Sequence, residues 1–268
     1  MGNSFPPISS IGANGAIIHY SAKKETAAKM STNEVYLLDS GGQYLDGTTD
    51  ITRTVHMGTP TEEERDRYTR VLLGNLDIER TRFPKGRKIS GIDIDILARR
   101  WLHMIGLDYP HSTGHGVGYY SGVHESPPGL GRWFKEEYVV GHVMSNEPGY
   151  YTQEGGYGIR IENVILVEEV QEGFLGFLNM TLVPYCKNLL KADLLSRNDI
   201  KYINEYHKRC MEEVGPILKE MKWDLGYKWL VKHTTPMILH VELDMGLDTP
   251  ISETAGEATI SPDAEPSA

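Results

Sequence analysis

The chain has 268 residues, 40% hydrophobic and 24% charged, the makeup of a soluble globular protein with one large domain or two small ones. A formal net charge of −10 argues against nucleic acid or an anionic membrane as partner, since both reward positive charge. No apolar run approaches the length of a membrane span, no charged-then-apolar leader opens the chain, and Cys186 and Cys210 are too few for a disulfide framework, so a reducing, cytoplasmic setting is expected.

In chain order, residues 1–10 read as an irregular lead-in with Pro6 and Pro7. A turn at Gly12-Ala-Asn-Gly15 leads into a predicted strand, Ala16–Tyr20, that contains His19. A histidine inside a strand is more often structural than functional. Residues 23–33 are polar and read as a connector. Val35-Tyr-Leu-Leu38 then forms an apolar strand that stops on Asp39, and Ile51–Val55 forms a second extended run just after Asp50. Between them lie Gly41, Gly42 and the Asp46-Gly47 turn pair. If the two runs pair as a hairpin, both carboxylates face one cavity at the open end of a sheet, an arrangement that is costly without a cation between them. For this hairpin alone, ordinary turn chemistry explains the residues equally well.

The period changes after the hairpin. Thr61-Glu-Glu-Glu64 fits a capping box, followed by an apolar stripe at Tyr68, Val71, Leu72 and Leu76, a helix ending near Phe83–Gly86. Ser90–Asp93 opens a second helix through Ile94, Leu97, Trp101 and Ile105, stopped by Gly106. In Pro110-His-Ser-Thr-Gly-His-Gly-Val-Gly118 the spacing of His111 and His115 would suit a helix face, but three glycines and a proline make a strand or loop the better reading. With His124, three of the ten histidines fall within fourteen residues. A further strand ends on Glu147-Pro-Gly, and Tyr157–Val167 reads as one long strand. Arg160 and Glu162, two apart on it, point to one face, where a solvated charge pair is as good an explanation as a site. Phe174–Pro184 is the last strand. A helix from Ser196 to Leu218 is kinked or ended by Pro216, and a short one covers Trp223–Val231. The acidic stretch 252–268 is expected to be disordered.

Together Asp39, Asp50, His115, Glu147 and Glu162 offer four carboxylates and one imidazole. That donor set suits Mn, Co or Zn, whereas a structural zinc favours thiolates. Four negative charges match two divalent cations, and paired cations about 3.5–4 Å apart lower the pKa of a shared water.

The order of motifs resembles the metallopeptidases of the pita-bread fold, which include methionine aminopeptidase, prolidase and aminopeptidase P. Residues 8–20, 39–54, 111–118, 147–151 and 158–163 are most similar to Xaa-Pro aminopeptidase of the cytosolic type, and the similarity covers residues 4 to 235. The resemblance implies an α+β, creatinase/aminopeptidase-like fold, an antiparallel curved sheet backed by helices. It implies an enzyme that removes an N-terminal residue when proline is second, with two divalent metal ions, usually Mn2+, as cofactors. Asp39 would hold one metal, His115 and Glu147 the other, with Asp50 and Glu162 bridging. Glu147 would also be the general base, His124 would steady the oxyanion, and His19 and His111 would line the proline-side pocket and help move protons. Arg160 would orient the Glu162 carboxylate. Proline-containing peptides are the implied partners, and a homodimer through the catalytic domain is one arrangement found among such relatives.

The departures are as informative. Two amino-terminal domains and the opening helices of the catalytic domain have no counterpart here. Residues 1–235 therefore read as a catalytic domain without those helices, with apolar sheet surface exposed, and 236–268 as an extension. Ser112 and Ser126 stand where glycine is common. The alternatives are an inactive metal-binding or partner-binding form of the fold, and a prolidase-like dipeptidase.

Overall fold

The expected hairpin forms. Strand Val35–Ser40 pairs antiparallel with Ile51–His56, with Asp39 opposite Thr52, and Leu45-Asp46 turn between the short strands Gly42–Tyr44 and Gly47–Thr48. The structure, a computed structural model, describes residues 2–120, 122–152 and 156–238. The acidic stretch 252–268 lies outside the described residues. Those up to Met237 form one compact unit.

The start of the chain differs from expectation. The strand that completes the Asp39 sheet is Ile8–Ile11, in the supposed lead-in, and it pairs with Tyr36–Asp39. Residues 16–20 are no strand: Gly12–Ala16 is a 3-10 turn, and His19 sits in the turn that follows. Gly12 adopts φ +54°, which bends the chain out of the sheet. Gly15 then crosses Gly158 so closely that a Cβ on Gly158 would lie 1.8 Å from the Gly15 carbonyl oxygen. Contact with strand 157–160 outweighs the β-propensity of Ile17 and Ile18.

A six-stranded antiparallel sheet forms the other half, in the order 83–84, 174–179, 163–171, 143–146, 114–116, 125–130. The last predicted strand is thus shorter, Phe174–Asn179. Helices α1 (Glu62–Glu79) and α2 (Gly91–His103) pack on one another and against this sheet through Ile78, Ala98, Met144, Ile165 and Val167. Both start in capping boxes, at Thr61 and Ser90, and Gly106 stops the second at φ +73°. Helix α1 ends at Glu79, just past its apolar stripe and short of the expected end near Phe83–Gly86. Tyr68, Val71, Leu72 and Leu76 lie in a second core with Tyr150, Ile159, Ile161, Ile203 and Tyr206. Helix α3 (Arg197–Glu220) runs through Pro216 without ending. Its packing on α4 (Asp224–Thr234) and on this core overrides the roughly 3 kcal/mol cost of an interior proline. These findings make an α+β fold, a curved antiparallel sheet backed by helices.

The expected long strand 157–167 is interrupted, and so is its partner. Asn146 pairs with Asn163 and Gly149 with Arg160. Between these pairs lie Glu147-Pro148 on one strand and Ile161-Glu162 on the other. The Glu147 amide instead donates to the Thr113 carbonyl (2.7 Å) and the Glu162 amide to the Thr52 carbonyl (3.1 Å). The long hairpin therefore opens where its two carboxylates lie, and there it is stitched to the strands on either side. Asn75 of α1 backs the opening, its side-chain amide donating to the carbonyls of Asn146 and Ile161.

Helices α1 and α2 touch backbone to backbone at Gly74, where a Cβ would stand 2.1 Å from the Ala98 carbonyl oxygen. Gly74→Ala gains about 1 kcal/mol of helix propensity, but prying the helices apart costs about 1–3 kcal/mol. We expect a net loss of stability, seen as a lower urea midpoint with an unchanged slope. A midpoint that rises would show that the two helices can separate freely.

Candidate metal centre

All five expected metal-binding side chains meet at the seam between the two sheets. Asp39 comes from the end of strand 35–40, Asp50 from just before strand 51–56, and His115 from strand 114–116. Glu147 and Glu162 come from the opening in the long hairpin. Asp50, His115 and Glu162 each offer a ligand atom within 4.8 Å of the others, a site able to hold a divalent metal. His115 Nε2 lies 3.5 Å from Asp50 Oδ2 and 3.2 Å from Glu147 Oε1. Its Nδ1 faces the Gly116 carbonyl at 2.9 Å, so Nδ1 carries the hydrogen and Nε2 is turned to the carboxylates. Glu162 is 1% and Asp50 4% exposed, so the solvated reading of the Arg160–Glu162 pair does not hold.

The charges cannot all coexist in such a place without a cation. Burial, then the neighbouring Asp39 and Glu147, push Asp50 up to about 8. Burial, with Asp50 and Glu147 close by, lifts Glu162 well above the carboxylate range. Burial also raises Asp39, against the pull of Arg160. At Glu147 burial acts the same way but is overcome by the hydrogen bond and charge of His115, which bring it to about 2. His115 rises to about 9, burial opposing and Glu147 prevailing. Asp39 Oδ1 is buried and accepts no hydrogen bond among the described residues. An orphaned carboxylate oxygen beside three carboxylates and an imidazole fits divalent cations well.

A polar shell holds these groups in place. Arg160, 2% exposed, donates through Nη2 to Asp39 Oδ2 (2.7 Å) and through Nη1 to the Tyr151 hydroxyl (3.0 Å). Its link to Glu162 is indirect: Arg160 Nε donates to the Thr52 hydroxyl (3.1 Å), which donates to Glu162 Oε2 at 2.7 Å. Ser145 Oγ joins the His115 amide (2.9 Å) to Glu147 Oε1 (2.9 Å). Arg53 is buried behind the centre, donating to the carbonyls of Thr52 (3.0 Å) and Glu162 (2.6 Å) and to Asn163 Oδ1 (2.7 Å). Sequence reasoning singled out none of Thr52, Ser145, Arg53 and Tyr151. The alternation of strand 51–56 places Thr52 two residues from Asp50, the one signal that could have found it.

The centre opens into a cavity of about 600 Å³. His19, His111 and His124 line it, as expected, together with an apolar wall of Phe5, Pro6, Pro7, Ile8, Ile18 and Val123 and with Phe134. The His124 ring lies 4.0 Å from that of His115, centroid to centroid. Burial, then the charge of His115, lower the pKa of His124, and burial likewise lowers that of His111. His111 has both ring nitrogens engaged, Nδ1 on the Ser112 carbonyl (2.8 Å) and Nε2 on the Tyr151 hydroxyl (2.9 Å).

Residues 1–169 match the model of metallopeptidase family M24, and residues 173–237 that of the C-terminal region of the same peptidases. A probable Xaa-Pro aminopeptidase P of Pyrenophora teres is 47% identical over 246 residues, 88% of this chain and 37% of the relative. A putative Xaa-Pro aminopeptidase of Saccharomyces cerevisiae is 47% identical over 244 residues, 88% of this chain and 32% of its own. Among solved structures, the X-prolyl aminopeptidase of Caenorhabditis elegans, described as a cytosolic enzyme with a di-nuclear active site, superposes with a TM-score of 0.83. It is 40% identical, over 88% of this chain and 39% of that one. The prolidase of Pyrococcus furiosus gives 0.59 at 27% identity, over 68% of this chain and 50% of that one. The chain thus spans between about a third and two fifths of the length of the aminopeptidases it matches. With the fold, the ordered motifs and the clustered ligands in agreement, this chain belongs to metallopeptidase family M24, with the pita-bread fold.

Proposed function

We propose that this chain carries the catalytic machinery of a dinuclear aminopeptidase that hydrolyses the bond between an N-terminal residue and a following proline. The observation that carries the reading is the seam itself: four carboxylates and one imidazole converge on the floor of a cavity lined by three further histidines and an apolar wall. The names of the relatives support the same chemistry. A cytoplasmic setting is proposed on the description of the nematode relative as cytosolic.

In this reading residues 1–235 are the catalytic domain and 236–268 an extension. Asp39 would hold one ion and His115 and Glu147 the other, with Asp50 and Glu162 available to both. Two divalent ions there, Mn2+ in our reading, would supply an activated water and polarise the scissile carbonyl. Glu147 takes the proton of the attacking water and returns it to the leaving proline nitrogen. Its place between Ser145 and His115 keeps one oxygen anchored while the other is free to move the proton. His124, whose burial disfavours its charged form, donates a hydrogen bond to the oxygen on which charge develops. His111, at the end of the Arg160–Tyr151 chain, and His19 form the proline side of the cavity and help relay protons.

Turnover of an Xaa-Pro-Pro tripeptide should rise with added Mn(II), with an Xaa-Ala-Pro tripeptide uncleaved and an Xaa-Pro dipeptide a poor substrate. Cleavage of the dipeptide alone would favour a prolidase-like activity, and metal binding without turnover an inactive relative. His124→Ala should keep its metal while kcat falls about 10²-fold, whereas loss of metal would make His124 a ligand.

Asp50→Ala and Glu162→Ala should lose metal and activity together; turnover in either would end the bridging assignment. Thr52→Val should weaken metal binding about 10–100-fold, since it removes the donor that orients Glu162. Because burial and neighbouring carboxylates push Asp50 up to about 8, and Glu147 holds His115 at about 9, protons compete with metal for both groups below those values. Calorimetry in buffers of different ionisation enthalpy should show proton release on binding, and affinity rising as the pH is raised from 6 towards about 8. Binding independent of pH would contradict this charge arrangement.

A further inference from the structure

The segment that carries His111, residues 109–113 just before strand 114–116, separates two cavities. On its inner side is the catalytic cavity, and on its outer side a second cavity of about 370 Å³, to which His111 and Ser112 also contribute. Within this segment Tyr109 is packed in the core, whereas the backbone around His111 is held by hydrogen bonds. Its stay is polar and comes from α2.

Arg99, on α2, has a side chain only 13% exposed. Its Nη2 donates to the His111 carbonyl at 2.7 Å, and its Nη1 to the Tyr109 carbonyl and to Asp108 Oδ1, both at 2.8 Å. Its guanidinium carbon lies 4.0 Å from the centroid of the Tyr109 ring. Its Nε donates to Asp95 Oδ2 at 2.8 Å, one turn away on the same helix. The other oxygen of Asp95 accepts from the Thr113 hydroxyl, which also meets the Tyr109 hydroxyl. Thr113 in turn accepts the Glu147 amide on its carbonyl. The fork and its carboxylate thus hold the backbone on both sides of His111, while the His111 ring is held separately by Ser112 and Tyr151.

We propose that Arg99, with Asp95, is a positioning residue for His111: from outside the cavity it sets where that histidine stands against the bound peptide. The role in catalysis rests on the function proposed above. The guanidinium shape matters, since one planar fork serves two carboxylates and two carbonyls at once, which an ammonium cannot do. No atom of Arg99 need touch substrate or metal.

The test uses the full chain and Arg99→Lys, which keeps the charge and most of the stem. Metal affinity should be unchanged, in contrast to the ~10–100-fold loss expected when a residue orients a ligand. Hydrolysis of the tripeptide should fall about 10–10²-fold through misplacement of His111. The double variant Arg99→Lys/His111→Ala should be no slower than His111→Ala alone. Losses that simply multiply would overturn the proposal. Histidine-selective 15N NMR gives a readout that needs no turnover: the His111 signals should move in Arg99→Lys while those of His124 stay. Unmoved His111 signals would overturn the clamp, whereas moved signals in a chain that cleaves nothing would leave the clamp standing and defeat the functional reading. Should Arg99→Lys not fold, Asp95→Asn breaks the same clamp from its other end and is judged by the same readouts.

Discussion

The constraint on which the rest depends is the cost of holding Asp39, Asp50, Glu147 and Glu162 together away from water. Alone, the protein groups relieve that cost by protonating Asp50 and Glu162 and by pairing Glu147 with His115 and Asp39 with Arg160. Each relief is partial, as the orphaned Asp39 oxygen records. Divalent cations remove the repulsion at its source, so the same charges that weaken the fold by themselves make it a strong metal host.

Such a cluster needs rigid support, and the open hairpin supplies it. By sending the amides of Glu147 and Glu162 sideways to Thr113 and Thr52, the chain joins its two sheets at the point where their carboxylates meet. Asn75 from α1 and Arg53 from strand 51–56 then satisfy the carbonyls that the opening exposes. These are costly groups to bury, and nearly all of them are paired. The support is a hydrogen-bonded frame rather than a packed one, which is why glycines crowd it. At Gly114 a Cβ would stand 1.9 Å from the Ser145 carbonyl oxygen.

Much of this was legible beforehand. The capping box at Thr61, the helix opening at Ser90, the stop at Gly106 and the hairpin around Asp46-Gly47 are local signals, and all of them form. All five ligand candidates converge, because their motifs are ordered along the chain in a pattern shared with a known family. The departures share a cause: local propensity makes 16–20 a strand, 157–167 one unbroken strand and Pro216 a possible helix end, and each is decided instead by contacts distant in sequence. Gly158 meets Gly15, Thr52 draws off the Glu162 amide, and packing on α4 and the core carries α3 on past its proline. His19 lost its strand yet kept its place in the cavity, since a turn presents a side chain there as well as a strand does.

The sequence by itself determined the residue types of the site, their order and the helices that frame it, since charge, capping and hydrophobic period are written locally. Only the tertiary structure decided which groups support the ligands. Arg160 serves Asp39 directly and Glu162 through Thr52, and Arg99 reaches the His111 backbone from α2. Hydrogen bonds between segments tens of residues apart depend on how two sheets meet, and nothing in a linear pattern specifies the angle and depth of that meeting.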